Sequence, residues 1–179
     1  MANSVKDPIL VSIIGGSGYT GAELIRLVSK HPYFQLNQVV ANRNAYKKIQ
    51  DIFPHLRHLN LPDFINFDQM DFDNVDLIFC ALPHATSQEI IVKIPEGKKI
   101  IDLSADFRLE SIEEYERWYG TKHIANSLQK KAVYGLTEIY KEKIKKGSLI
   151  ACTGCNSAAT LYPVLPLLND GIINSDNLT

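Results

Sequence analysis

Residues 9–30 read ILVSIIGGSGYTGAELIRLVSK. The first six are β-branched or apolar almost throughout, which is typical of a strand buried on both faces of a parallel sheet. A glycine-rich turn follows. In residues 22–30 the side chains of Leu24, Ile25, Leu27 and Val28 then share one helical face. This order of strand, turn and helix predicts the first unit of a βαβ fold.

Strand-like and helix-like segments keep alternating outward from that unit. Residues 45–70 follow neither period, and we expect an insertion with loops there. Ser111 and Glu114 have the spacing of a capping box at a helix start. The remaining strands are predicted at 36–41, 75–82, 99–103 and 149–152, and the remaining helices at 87–94, 111–119 and 156–168. The alternation predicts an α/β fold, a Rossmann-like doubly wound sheet that is mostly parallel.

Composition narrows the class of protein. The chain has 179 residues, of which 45% are hydrophobic and 22% charged, as in ordinary globular domains. A net charge of -1 argues against a nucleic-acid partner, and no apolar run approaches the ~18 residues of a membrane span. Residues 1–8 lack the apolar run of a secretory signal. Three cysteines are too few for a disulfide framework, so we expect a cytoplasmic protein.

The glycine-rich turn carries a dinucleotide-binding pattern. Gly16, Gly18 and Gly21 form G-x-G-x-x-G between the predicted first strand and first helix. Glycine permits a tight turn and close approach to a pyrophosphate, and the helix N-terminus offers free N–H groups. A P-loop is excluded because no Gly-Lys-Ser/Thr follows. We therefore expect the cofactor to contact Gly15, Gly16, Ser17, Gly18, Tyr19, Thr20 and Gly21.

The residues after the predicted second strand favour NADP over NAD. An acidic residue normally binds the ribose 2′-hydroxyl there, but this chain has Ala41, Asn42 and Arg43. No carboxylate would repel a 2′-phosphate, and Arg43 can pair with one. The alternative is that Arg43 is a solvated surface charge.

Residues 151–160 read ACTGCNSAAT and place Cys155 at a predicted helix start. Free N–H groups and the helix dipole stabilise a thiolate there, and the N–H of Asn156 can stabilise an oxyanion. Three interpretations remain open from the residues alone. Cys155 is a covalent catalyst beside a nicotinamide, or Cys152 and Cys155 form a redox pair, or both are small core residues. A metal site is disfavoured, because no second pair of ligands has matching spacing.

Five segments together resemble the N-acetyl-gamma-glutamyl-phosphate reductases, which belong to the semialdehyde dehydrogenase superfamily. They are GGSGYTG at 15–21, ALPHATS at 81–87, IDLSADFRL at 101–109, VYGLTE at 133–138 and GCNSAAT at 154–160. The related reductases of a carrier-linked aminoadipyl phosphate share these motifs. One departure is Thr153, which stands where the arginine-pathway reductases commonly have proline before Gly-Cys.

The resemblance implies a domain organisation. Residues 1–150 would be an NADP-binding Rossmann-like domain, and residues 151–179 the beginning of an α+β catalytic and dimerisation domain. Because the family is about twice this length, we expect the chain to be the front part of a longer protein. The family's catalytic histidine would then lie outside it. Family members are usually homo-oligomers, so a homodimer or homotetramer is expected.

The resemblance also implies reductive dephosphorylation of a small-molecule acyl phosphate. The Cys155 thiolate would attack the acyl carbon, phosphate would leave, and the thioester would be reduced by hydride from NADPH to an aldehyde. Leu82, Pro83 and His84 are expected on the cofactor side. Two alternatives to this enzyme are a non-catalytic dinucleotide-binding module and a thiol–disulfide protein.

Three further polar residues are candidates near the same site. Arg108 follows a strand's carboxyl end, and its guanidinium suits the acyl phosphate, although an ion pair with Asp106 or Glu110 is an alternative role. Ser104 is expected to contact cofactor or phosphate. Glu138 either orients part of the site or is a surface carboxylate.

Overall fold

The computed structural model describes residues 7–177. The expected absence of a secretory signal rests on residues 1–8. Residues 1–6, 178 and 179 lie outside the described part, so this expectation falls partly outside it.

One seven-stranded sheet forms the centre of the molecule, with the strand order β3-β2-β1-β4-β5-β7-β6. Every strand pairing in it is parallel. The strands are β1 (Ile9–Ile14), β2 (Phe34–Val40), β3 (Phe64–Ile65), β4 (Leu77–Cys80), β5 (Lys99–Asp102), β6 (Ala132–Gly135) and β7 (Leu149–Cys152). The predicted Rossmann-like doubly wound sheet is confirmed.

Helices connect the strands and cover both faces. The helices are α1 (Tyr19–Val28), α2 (Ile49–Ile52), α3 (Thr86–Ile91), α4 (Ile112–Tyr119), α5 (Asn126–Gln129), α6 (Thr137–Lys146) and α7 (Cys155–Asn169). Short 3₁₀ turns lie at Asn42–Asn44, Pro54–Leu56, Phe67–Gln69 and Ser175–Asn177. In the described part of the chain, no helix has both the length and the apolar run that crossing a bilayer requires.

The core lies on both faces of β1. Ile13 packs in one apolar cluster with Ile25 of α1, whereas the next residue, Ile14, packs in the other with Ile91 of α3. Successive side chains of a strand point to opposite faces, so a strand that is apolar at both positions must be covered twice. Burial on both faces of the sheet therefore explains the near-continuous apolar run of residues 9–14, as the sequence predicts.

Three local predictions need correction. The strand β6 and the helix α6 were not predicted, although VYGLTE spans their junction. The loop segment 45–70 contains the short strand β3, which pairs with β2. At the start of α4, Ser111 accepts a hydrogen bond from the N–H of Glu114 at 3.2 Å, but its hydroxyl donates to Glu113. Within residues 7–177, the carboxylate of Glu114 accepts no hydrogen bond from the N–H of Ser111, so only half of the capping box is formed.

The strand order changes direction between β1 and β4. The connection after β1 leads towards β2, and the chain returns past β1 to form β4 and β5. In open parallel sheets, ligands bind at the carboxyl ends of the strands on either side of such a point. The glycine turn follows β1 and the segment containing Leu82 follows β4, so both lie at this crevice.

Candidate active site

The glycine turn is shaped by contacts that exclude side chains. Gly15 has φ +83°, and an added Cβ there would collide with the carbonyl oxygen of Ala81. A Cβ on Gly16 would collide with Val39, and one on Gly21 would lie 2.5 Å from the carbonyl oxygen of Gly16. The turn therefore packs tightly against β2, β4 and its own first turn of helix, as a dinucleotide-binding turn requires.

Gly18 differs from the other glycines of the turn. An added Cβ would meet only the carbonyl oxygen of Gly15, at 3.9 Å. Gly18 is the N-cap of α1, and no side chain caps this end of the helix. The neighbouring Tyr19 is 95% exposed. The N–H groups of the first turn are thus left for a ligand, because an α-helix has no internal partner for them.

A groove of about 470 Å³ lies at this crevice. It is lined by Gly15 and Ser17 of the turn, by Arg43, and by Leu82 and Pro83 after β4. Arg43 belongs to the 3₁₀ turn Asn42–Asn44 that follows β2, and its side chain is exposed. The structure thus brings together the pyrophosphate turn, the candidate 2′-phosphate residue and two of the three residues expected from the ALPHATS motif.

His84, the third of those residues, is held by a buried carboxylate. Its Nδ1 lies 2.9 Å from Oδ1 of Asp106, and its ring centroid lies 4.5 Å from that of Tyr119, with the two rings tilted by 37°. Asp106 is fully buried and also accepts hydrogen bonds from the N–H groups of Ala85 and Gln88. Asp106 therefore fixes both His84 and the start of α3.

Ser104 is not placed against the groove. Its hydroxyl donates to Asp102 at 2.6 Å and accepts from the N–H of Asp106 at 3.1 Å, and the residue is buried. Asp102 also accepts a hydrogen bond from Ser87. Burial raises the pKa of the Asp102 carboxyl, although these hydrogen bonds oppose the shift. In this structure Ser104 shapes the turn after β5.

Cys155 is the first residue of α7 and is exposed. Its thiol lies 3.9 Å from the side-chain oxygen of Asn156. Cys152, at the end of β7, is only partly exposed, and burial raises the pKa of its thiol while the charge of Arg108 opposes the shift. Cys80 is buried in β4, as its place in an apolar strand predicts. Among the three thiols, Cys155 is the accessible one at a helix start.

Arg108 lies against the segment that precedes Cys155. Its Nε donates to the carbonyl oxygen of Cys152, and its Nη2 donates to that of Leu103, both at 2.8 Å. An added Cβ on Gly154 would lie 3.0 Å from Nη1, so this nitrogen faces the start of α7. No ion pair of Arg108 with Asp106 or Glu110 forms within residues 7–177.

The VYGLTE motif begins in β6, which lies beside β7 on the side opposite to β5 and Arg108. Tyr134 of β6 lies within 2.7 Å of the hydroxyl of Thr153. Gly135 packs so closely on β7 that an added Cβ would lie 2.9 Å from the carbonyl oxygen of Ala151. Glu138 is exposed and accepts a hydrogen bond from Thr137, which lowers the pKa of its carboxyl.

Sequence reasoning did not single out Asp106, Tyr134 or Thr153 as site residues. The sequence could have indicated Asp106, because SADFR places it two residues before Arg108 in the same turn after β5. It could not have indicated the contact of Tyr134 with Thr153, because that contact depends on the pairing of β6 with β7.

Residues 10–147 match the family model described as the semialdehyde dehydrogenase, NAD-binding domain. The chain is 49% identical over 168 residues to N-acetyl-gamma-glutamyl-phosphate reductase of Rhodobacter capsulatus, covering 94% of this chain and 49% of the relative. It is 49% identical over 179 residues to the probable chloroplastic N-acetyl-gamma-glutamyl-phosphate reductase of Arabidopsis thaliana, covering 99% and 45%. The chain spans about half the length of these relatives.

Solved structures share the fold at low sequence identity. Aspartate semialdehyde dehydrogenase with NADP from Candida albicans superposes with a TM-score of 0.65 at 20% identity, over 92% of this chain and 48% of that one. Aspartate semialdehyde dehydrogenase II from Vibrio cholerae gives 0.66 at 15% identity, over 92% and 43%. These structures show the shared fold, and the match of residues 10–147 to the family model shows that the chain belongs to the semialdehyde dehydrogenase NAD-binding domain family.

Proposed function

We propose that the complete protein reduces N-acetyl-gamma-glutamyl phosphate to N-acetylglutamate semialdehyde, with NADPH as the reductant and release of phosphate. The observation that carries this proposal is the position of Cys155. Its exposed thiol lies at the start of α7, in the residue after Gly154, which Arg108 faces, and at the edge of the sheet that also holds the glycine turn.

The residues of the groove fit a dinucleotide. The glycine turn leaves a cradle that side chains would fill, and the start of α1 offers N–H groups for a pyrophosphate. Arg43 lines the same groove and supplies a cation for a 2′-phosphate, which favours NADPH over NADH. When bound, this cofactor supplies a hydride.

Cys155 is assigned the covalent step. Its thiolate attacks the acyl carbon, the bond to the phosphate oxygen breaks, and phosphate leaves with a thioester in its place. N–H groups in the first turn of α7, including that of Asn156, stabilise the negative charge on the attacked oxygen. When the thioester has been reduced, the sulfur leaves again as thiolate and releases the aldehyde.

Arg108 is assigned to the leaving phosphate. Two of its nitrogens are used by backbone carbonyls, but Nη1 faces Gly154 and has no hydrogen-bond partner within residues 7–177. A guanidinium held in this way presents one fixed donor beside the nucleophile. Charge on the departing phosphate is thereby balanced next to Cys155.

The proton acceptor for Cys155 is assigned to the half of the relatives that this chain does not span. In the described residues, no histidine forms a hydrogen bond with Cys155. His84 is engaged by Asp106, and His123 by the backbone of Asp106 and Ala125. A catalytic domain that begins near residue 151 is consistent with this division, although β7 (Leu149–Cys152) itself extends across that boundary.

Relatives at 49–51% identity are N-acetyl-gamma-glutamyl-phosphate reductases, which favours a glutamyl over an aminoadipyl substrate. The motifs shared by the two classes do not distinguish them, so the acyl chain is a separate question from the reaction. A homodimer or homotetramer and a cytoplasmic location complete the proposal; both follow from the resemblance and the composition.

The test is an assay of the complete protein with NADPH and N-acetylglutamyl phosphate. We expect NADPH oxidation with release of one phosphate per turnover, and little turnover of a carrier-linked aminoadipyl phosphate. Cys155→Ser should abolish turnover and leave NADPH binding unchanged, whereas the matched variant Cys152→Ser should remain active. Full activity of Cys155→Ser would exclude the covalent step.

A further inference from the structure

Thr153 and Tyr134 are joined by a hydrogen bond directly beside the candidate nucleophile. Their hydroxyl oxygens are 2.7 Å apart, and both residues are half-buried. Thr153 lies between the end of β7 and Cys155, whereas Tyr134 lies on the neighbouring strand β6. We infer that Tyr134 and Thr153 are positioning residues that hold the segment 153–154, and with it the start of α7, in the reactive geometry of Cys155.

Residues 153 and 154 depend on contacts with other parts of the chain for a fixed conformation. The ladder of β7 ends at Cys152, and the next helix begins at Cys155. Gly154 is the N-cap of α7, and no side chain caps the helix there. Glycine also loses the most backbone freedom when it is ordered. Without further contacts, the two residues before Cys155 would be the least constrained part of the site.

The hydroxyl of Thr153 connects Tyr134 to the first hydrogen bond of α7. It lies 3.3 Å from the carbonyl oxygen of Gly154 and donates to it, which leaves the oxygen of Thr153 to accept a hydrogen bond from the hydroxyl of Tyr134. The same carbonyl oxygen accepts the N–H of Ala158 at 2.9 Å. A chain of hydrogen bonds thus runs from β6 to the first turn of the helix that carries Cys155.

The segment before Cys155 is contacted from two sides, because β7 lies between β5 and β6 in the sheet. Arg108, after β5, donates to the carbonyl oxygen of Cys152 from one side. Tyr134, in β6, reaches Thr153 from the other. Tyr134 is itself fixed, because its neighbour Gly135 packs against the backbone of β7 without space for a side chain. Each neighbouring strand or its following turn therefore supplies one side chain to the nucleophile's segment.

The inference rests on the proposed function for its consequence in catalysis, but it can be tested without the substrate. In the complete protein, the variants are Tyr134→Phe, Thr153→Val and the double variant, with Tyr140→Phe as the matched control. Tyr140 packs edge-on against Tyr134 at 6.4 Å, and its hydroxyl makes no hydrogen bond within residues 7–177. Thr153→Ser keeps the hydroxyl and serves as the conservative rescue.

The measurements are the rate of Cys155 alkylation by iodoacetamide, kcat and KM for the acyl phosphate, the Kd of NADPH and the melting temperature. We expect kcat to fall about tenfold in each single variant, because one hydrogen bond that fixes the nucleophile is lost. Alkylation should slow several-fold, with KM and the Kd of NADPH near the wild-type values. The double variant should match Thr153→Val, because the bond that Tyr134→Phe removes is already lost in Thr153→Val.

Wild-type kcat and alkylation rates in Tyr134→Phe and Thr153→Val would overturn the inference. Additive losses in the double variant, or a loss in Thr153→Ser as large as in Thr153→Val, would also overturn it. An inactive wild-type protein would refute the proposed function instead. In that case the alkylation rates alone decide whether Tyr134 and Thr153 position Cys155.

Discussion

The guanidinium of Arg108 donates a hydrogen bond to the carbonyl oxygen of Cys152 at 2.8 Å, and so joins the turn after β5 to the end of β7. A second bond to Leu103 fixes the plane of the group. One side chain therefore orders the segment before Cys155 and directs its remaining nitrogen, Nη1, towards the start of α7. In the proposed mechanism, this arrangement would couple the binding of phosphate to the positioning of Cys155.

Replacing Arg108 with lysine should remove this fixed geometry while keeping the charge. A lysine cannot make the two backbone hydrogen bonds and also present a third donor, so we expect kcat/KM to fall about a hundredfold. Inorganic phosphate should also inhibit the variant more weakly. NADPH titration serves as the control and should be unchanged. An Arg108→Lys enzyme with wild-type kcat/KM would refute both roles of the guanidinium.

Substitutions of two glycines in the turn should have different effects on stability and on cofactor binding. Gly21→Ala should lower the free energy of unfolding by about 1–3 kcal/mol, because its Cβ would press on the backbone of Gly16. Gly18→Ala has room for the methyl group and should cost less, about 0.5–1 kcal/mol, because alanine is a poorer N-cap than glycine. If the backbone at Gly18 approaches a pyrophosphate, this variant should still bind NADPH about tenfold more weakly.

Thermal or urea unfolding and NADPH fluorescence titration measure these two effects. Equal stability of the Gly21→Ala and Gly18→Ala variants would contradict the packing of the turn. Wild-type NADPH affinity in Gly18→Ala would show that the cofactor does not approach the turn at this residue.

Arg43 should determine the preference between the two nicotinamide cofactors. Arg43→Ala should weaken NADPH binding about tenfold and leave NADH binding unchanged, because only NADPH has the 2′-phosphate. Arg57→Ala is a matched control, since Arg57 is exposed but does not line the groove. Parallel titrations with both cofactors measure the ratio. An equal loss of NADPH and NADH affinity would assign Arg43 a different role.

Asp102 should make stability depend on pH. Burial raises the pKa of its carboxyl above the ordinary value of 3.8, so the folded state binds this proton more tightly than the unfolded state. The stability that results is complete below that value and is lost as pH rises through the folded-state pKa. The melting temperature of the wild type relative to Asp102→Asn should therefore fall as the pH rises above about 4. A rise over this range would contradict the assignment.

The part of the fold that the sequence predicts well has a single physical origin. In β1 and β7 the apolar run and the strand coincide residue for residue, because these strands are buried between two layers. The helix α7 was also predicted within a residue, despite Pro163 and Pro166 inside it. Long apolar runs next to glycine turns leave few alternatives for the backbone.

The elements that were not predicted lack a long apolar run in the sequence. The helix α6 has no buried residue, so it has no apolar stripe to reveal its period. Its neighbour β6 has four residues at the edge of the sheet, and β3 has two. The candidate site was also predicted only in part. Residue type alone indicates Cys155, Arg108 and the glycine turn, whereas the contact of Tyr134 with Thr153 exists only once β6 lies beside β7.

The central claim is that Cys155 becomes acylated and expels phosphate before any reduction takes place. The most direct measurement mixes the complete protein with N-acetylglutamyl phosphate in the absence of NADPH and follows phosphate release. We predict a rapid release of one phosphate per active site, with the acyl group found on Cys155 by mass spectrometry and no such burst in Cys155→Ser. Phosphate release that depends on NADPH, or that persists in Cys155→Ser, would contradict the account.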